Sequence, residues 1–124
     1  MQKTILYRLD GCVYSAEGRL DQIIFVISEF LTSDVLCYCP SFKQWALSKE
    51  LNFGGNVCGL YRNGDIIELT YDFDETNTII KMTTQNFIAM LDQWEEICKK
   101  EYPEILLSWD GDKVTFASRG NPEV

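Results

Sequence analysis

The stretch Val57-Cys58-Gly59-Leu60-Tyr61-Arg62-Asn63-Gly64-Asp65-Ile66-Ile67-Glu68-Leu69-Thr70-Tyr71-Asp72-Phe73 decides the fold. Two apolar runs flank Asn63-Gly64, residues that tolerate the positive φ of a type I′ turn, so the stretch predicts a β-hairpin. In its second run Ile67, Leu69, Tyr71 and Phe73 point one way, and Glu68, Thr70 and Asp72 point the other. That alternation describes a strand with one buried and one wet face. Asp74-Glu75-Thr76-Asn77 predicts the next turn, and residues 78–82 a third strand, antiparallel to the second.

Toward the C-terminus, Thr83 or Thr84 caps a helix that runs to about residue 101. Phe87, Met90, Leu91, Trp94, Ile97 and Cys98 recur along it with helical period, which predicts one buried stripe. Glu95 with Lys99, and Glu96 with Lys100, stand four apart in the favourable order on the wet side. Pro103 ends the helix. Residues 105–109 and 113–117 predict a last hairpin around Asp110-Gly111-Asp112. Residues 119–124 read as a flexible tail after a domain of residues 1–118.

Toward the N-terminus, residues 3–9 alternate as a strand. Ile5, Tyr7 and Leu9 share one face, Thr4, Leu6 and Arg8 the other, and Asp10-Gly11 closes it as a turn. Residues 15–32 predict a helix, with Ser15 as N-cap and Glu17 near the positive end of its dipole. Leu20, Ile23, Ile24, Ile27, Phe30 and Leu31 fall at i, i+3, i+4, i+7, i+10 and i+11 and draw its apolar stripe. Residues 35–39 fit either a strand or a buried loop. Ser41 caps a short helix whose Phe42, Trp45 and Ala46 share a face. The adjacent glycines in residues 52–56 predict a loop. Strands thus arrive in hairpin runs and do not alternate with helices. The expected class is α+β, a single domain with a mainly antiparallel sheet of about five to six strands and two long helices packed on it.

The 124 residues carry 11 basic and 19 acidic side chains, a net charge of −8, with 46 % hydrophobic and 24 % charged residues. A chain of this length buries roughly two-thirds of its unfolded surface and folds without metal or disulfide. The negative field repels phosphate and anionic lipid and disfavours nucleic acid, whose binding needs cations to displace counterions, so neither is an expected partner. It favours a basic partner, although solubility alone also accounts for acidity. No segment approaches roughly 18 uninterrupted apolar residues, and residues 1–3 lead straight into a strand pattern. The expectation is a cytoplasmic protein with no membrane contact.

Five cysteines, Cys12, Cys37, Cys39, Cys58 and Cys98, have irregular spacing and read as free thiols, mostly small buried hydrophobes. Histidine is absent, which removes the commonest general base, every Ser-His-Asp or Cys-His arrangement, and most zinc sites. There is no phosphate-binding glycine loop with its lysine. The carboxylate pairs Asp72/Asp74 and Asp110/Asp112 suit turn chemistry better than catalysis or Ca²⁺. The chain is therefore expected to be no enzyme and to need no cofactor or metal. Its expected partner-binding residues are Glu68, Asp72, Asp74 and Glu75, an acidic strip on one strand and its turn, with Trp109, Asp110 and Asp112 at a sheet edge. Trp45 and Trp94 are expected in the core.

Residues 65–116 resemble small immunity proteins of bacterial toxin systems, including those of contact-dependent growth inhibition. The resemblance rests on Gly64-Asp65-Ile66-Ile67-Glu68-Leu69, on Met82-Thr83-Thr84-Gln85-Asn86-Phe87 and on Leu91-Asp92-Gln93-Trp94-Glu95-Glu96, followed by Tyr102-Pro103-Glu104-Ile105 and a closing strand. It covers less than half of the chain, and its motifs are structural. It implies a class of activity and no particular functional residue: a tight inhibitor that neutralises a cognate, basic toxin domain such as a nuclease. Two alternatives stand beside it. One is a small enzyme using carboxylates or a thiol of Cys12, Cys37 or Cys58. The other is a homo-oligomeric adaptor built through open strand edges.

Overall fold

The hairpin at the centre of the chain pairs Asn63 with Ile66, leaving Gly64 and Asp65 as its two-residue turn. Of these two only Gly64 has positive φ, +62°, the pattern of a type II′ turn and not of the type I′ turn expected at Asn63-Gly64. This computed structural model describes residues 2–9, 11–15 and 21–120. Their order is β1 (Gln2–Leu9), β2 (Cys12–Ser15), α1 (Gln22–Glu29), a π-helical segment (Phe30–Val35), α2 (Pro40–Ala46), β3 (Asn52–Gly54), β4 (Cys58–Asn63), β5 (Ile66–Tyr71), β6 (Ile80–Thr83), α3 (Thr84–Lys99), β7 (Glu104–Trp109) and β8 (Val114–Arg119).

The class is α+β, but among the described residues the strands form two antiparallel sheets of four and not one sheet of five to six. The first has the order β2-β1-β7-β8 and the second β3-β4-β5-β6. Helix α3 lies against β8 of the first sheet and against β5 and β6 of the second, while α1 lies against β1 and β7. One continuous apolar core joins both sheets through the helices. Its centre is aromatic: Phe30 meets Phe42 at 5.1 Å and Phe87 at 5.9 Å, and Phe42 meets Phe53 at 5.4 Å. Such edge and tilted contacts add to the burial of each ring.

Helix α3 follows its sequence closely. The Thr83 hydroxyl accepts the Asn86 amide at 3.0 Å, and all six stripe residues from Phe87 to Cys98 are buried. Lys99 reaches both Glu95 and Glu96. Trp45 and Trp94 are core residues, as expected. In β1 the inner face carries Thr4 and Leu6, while Tyr7 and Leu9 are exposed.

Two expectations fail near the N-terminus and middle, and an open one is decided. Ser15 belongs to β2, so it is no helix cap; α1 starts at Gln22. Asp10, Glu17, Gly18 and Leu20 lie outside the described residues. Residues 52–54, expected as loop, form a short edge strand whose Gly54 pairs with Gly59. Of the two readings for residues 35–39, the loop holds for residues 36–39, while Val35 ends the π-helical segment. At the C-terminal end β8 runs through Arg119, opposite Glu104, one residue past the expected boundary; residues 121–124 lie outside the described residues.

Two arginines on strands finish two helices. Arg8 donates from Nη2 to the Cys98 carbonyl at 2.8 Å and from Nε to Tyr102 at 3.1 Å. Arg62 donates to the carbonyls of Trp45, Ala46 and Glu50, with its guanidinium 4.8 Å over the Trp45 ring. A cation at these carbonyl ends satisfies orphan acceptors and complements the helix dipole.

Candidate interaction surface

The acidic residues singled out from the sequence do not form one surface. Glu68 is half-buried on the outer face of β5, with Tyr61 of β4 and Lys81 of β6 as its register partners. An opposed lysine on the neighbouring strand offsets its charge. Asp72, Asp74 and Glu75 follow the C-terminal end of β5. Asp110 and Asp112 lie at the other end, because the Asp112 carbonyl accepts from Asn86 in the first turn of α3, beside the Ile66–Thr83 pairing. Six residues of strand separate the two groups by roughly 20 Å. Trp109, expected at a sheet edge, is only 6 % exposed, since β7 is an inner strand between β1 and β8.

Two of these carboxylates are committed to turns. Asp110 Oδ1 accepts the amides of Asp112 and Lys113 at 2.8 and 2.9 Å, and these bonds lower its pKa. Asp74 accepts from the Thr76 hydroxyl at 2.6 Å and from the Thr76 and Thr78 amides at 2.8 Å each. The Thr76 hydroxyl bond is the leading cause that draws the Asp74 pKa down from 3.8 to about 2. A carboxyl with a depressed folded pKa contributes stability above its unfolded value, and that contribution fades as pH falls through the folded one. The turn is therefore expected to loosen between about pH 4 and pH 2. In an NMR titration the Asp74 carboxyl and the Thr76 and Thr78 amides should share a midpoint near 2. A midpoint near 3.8 would show that the bonds do not persist in solution.

What the fold does bring together near Asp72 is aromatic. Strand β5 ends at Tyr71, short of the expected Phe73, which sits in the turn that follows. Phe25 of α1 meets Tyr71 edge-on at 5.4 Å, and Tyr71 meets Phe73 at 5.7 Å. Phe73 is 69 % exposed, and Ile79, entering β6 at the same end, is exposed too. Carboxylates surround this ladder. Burial first, then the charge of Glu29, raises the Tyr71 pKa. Burial, then Asp34 and Asp72, pushes the Cys58 thiol far up, so it stays protonated and is a poor nucleophile. The pattern Leu69-Thr70-Tyr71-Asp72-Phe73 carried this signal in the sequence; the partner Phe25 and the rim residue Glu29 did not stand out there.

Glu29 joins the ladder to a cleft. Between β2 and the π-helical segment lies a space of about 650 Å³ lined by Cys12, Val13, Tyr14, Glu29, Leu36 and Trp94, among others. Its walls are mostly apolar with one carboxylate, a combination suited to the stem and head of a basic side chain. A smaller cleft of about 320 Å³ between α2 and α3 holds the Lys43–Asp92 ion pair, 2.9 Å long and half-exposed. Among the described residues no group of three or more Cys, Asp or Glu side chains could hold a metal ion.

The chain bends sharply at this cleft. The Thr32 hydroxyl donates to the Ser28 carbonyl at 2.8 Å, and the helix widens to π geometry around it. The segment ends at Leu36, whose φ of +59° and ψ of −136° cost a non-glycine residue about 1–3 kcal/mol. Leu36 is held there by a hydrogen bond from the Trp94 indole N–H to its carbonyl. Asp34, 7 % exposed, anchors the segment to the second sheet: its carboxylate accepts the amides of Asn56, Val57 and Cys58 at 2.8, 2.9 and 3.0 Å. Comparison of the chain with protein-family models, curated sequences and solved structures finds no match.

Proposed function

We propose that the chain is a protein-binding inhibitor of the immunity type, working in the cytoplasm, that occludes a cognate basic toxin domain. The observation that carries this reading is the aromatic ladder of half-buried Phe25 and Tyr71 that ends in exposed Phe73, with Glu29 acting on Tyr71 and the exposed Asp72 and Glu75 flanking Phe73 in the chain. Aromatic anchors surrounded by like charge are the usual composition of an energetic centre with a steering rim. The net charge of −8 extends that field over the molecule and speeds encounter with a cation-rich partner. Asp72 and Glu75 keep the role assigned to them from the sequence. Glu68, Asp74, Trp109 and Asp110 do not, because they are offset by Lys81, bound in turns, or buried, and Asp112 lies beside the first turn of α3, away from the ladder.

The test is a pull-down from the native host at low salt, followed by affinity measurement with the protein recovered. One basic toxin domain at equal stoichiometry is expected, and co-expression of the chain should restore growth to cells making that domain. Phe73→Ala should weaken the complex by roughly 30-fold, the loss of an interface anchor of about 2 kcal/mol. Asp72→Lys with Glu75→Lys should slow association by about tenfold and flatten its salt dependence. Unchanged affinity in both variants would refute this surface.

A further inference from the structure

The loop that Leu36 opens runs along one side of α3. The Trp94 indole holds the Leu36 carbonyl, and one helical turn later Cys37 and Cys98 face each other across a shared cleft. The two cysteines line this cleft, of about 180 Å³, with Tyr38, Glu95 and Lys99. Cys37 is half-buried and also borders both larger clefts, so it is reached from outside, whereas Cys98 is 6 % exposed behind it. The backbone around Cys98 is fixed, since Arg8 binds its carbonyl. An accessible thiol beside a second, sheltered thiol in one cleft is the arrangement of an attacking and a resolving cysteine.

We propose that Cys37 and Cys98 are a reversible oxidation site, a dithiol that closes to an intramolecular disulfide on meeting a hydroperoxide. The Cys37 sulfur attacks one peroxide oxygen and the O–O bond breaks. Water, or an alcohol from an organic peroxide, leaves, and Cys37 becomes a sulfenic acid. The Cys98 sulfur then displaces the sulfenic hydroxyl, which departs as water with the Cys98 proton, and the S–S bond forms. The two sulfurs give up two electrons and the peroxide takes them. A thiol reductant returns both cysteines by exchange through a mixed disulfide. The closed bridge ties the loop of residues 36–39 to α3 and sets the positions of Leu36 and Tyr38, both well exposed.

The experiment treats the reduced full chain with stoichiometric hydrogen peroxide, blocks the remaining thiols and maps peptides without reduction. The expected product is a monomer that has lost two hydrogens, with Cys37 linked to Cys98, reversed by dithiothreitol. Trp94 emission should change on the same time course, because its indole is bound to the residue beside Cys37. In Cys37→Ser, oxidation of Cys98 should slow by about tenfold or more, since a buried thiol has no accessible partner. In Cys98→Ala, Cys37 should pass on to sulfinic acid. If that variant does not fold, Cys37→Ser, altered at the cleft rim, gives the decision alone. Dimers linked through Cys12, a Cys37–Cys39 bridge, or sulfinic acid on Cys37 of the native chain with Cys98 left free would overturn the assignment.

Discussion

Replacing Asp34 by alanine is expected to destabilise the fold by about 4 kcal/mol, close to the loss of a whole buried charge partner. Three amides, those of Asn56, Val57 and Cys58, converge on the two carboxylate oxygens, and the substitution leaves all three without an acceptor. The Cys58 amide is fully buried and water cannot replace the lost partner. Asp34→Asn should cost less, about 2 kcal/mol, because one oxygen remains while the new NH₂ group opposes an amide donor. Gly55 is part of the same cradle. A Cβ there would lie 2.2 Å from Asp34 Oδ2, so Gly55→Ala must push the carboxylate off its amides. Urea unfolding of the three variants checks this. A ranking of alanine at 34 worst, with Gly55→Ala and Asp34→Asn between it and the native chain, is the expected result. Equal stability of Asp34→Ala and the native chain would show that the latch contributes nothing.

The second large effect is at Trp94, which is fully buried, 5.4 Å from Phe116, and bound through its indole N–H to the Leu36 carbonyl. Trp94→Ala should cost roughly 4 kcal/mol through the cavity it opens between α3 and β8. Trp94→Phe keeps most of the ring volume and removes the hydrogen bond; a loss of about 2 kcal/mol is expected. The two variants also differ in kind. Both free Leu36 from the contact that holds its positive φ, so hydrogen exchange of residues 36–39 should rise in each. Exchange in β7 should rise in Trp94→Ala alone. Identical exchange patterns would mean that the indole bond does not hold the loop.

The parts of this fold that were readable in the sequence are those whose partners are near in the chain. Helix α3 declares itself by a cap at Thr83 and a stripe from Phe87 to Cys98, and the β4–β5 hairpin by alternation and Gly64. Strand β2 was hidden because Ser15 looks like a cap and the following residues lead into a strong helical stripe; its strand state comes from pairing Tyr7 with Tyr14. Strand β3 was hidden by glycines at 54 and 55, one of which exists to admit a carboxylate. The division into two sheets depends on β1 finding β7, for instance Thr4 opposite Leu107, which no local pattern states. That pairing also buries Trp109 and removes it from the candidate surface. Charge was legible as a total, but its distribution was not: Glu68 meets Lys81 only through sheet register, and Asp74 is used up by Thr76 and Thr78. Asp34 carried no motif at all; its role exists only through residues 55–58.

The place of β1 between β2 and β7 also has a consequence for synthesis on the ribosome. The second sheet, from β3 to β6, contains only hairpin-like neighbours and can close as soon as residue 83 has emerged. Strand β1 cannot: one of its edges waits for Glu104–Trp109, and the Arg8 guanidinium waits for the carbonyls of Cys98 and Tyr102. At about 5–20 residues per second, the nascent first strand exposes that edge for roughly 5–20 s. During that interval Leu6, Tyr7 and Leu9 are open to wrong partners, so misassembly threatens β1 most, and that hazard lifts only once β7 has been made.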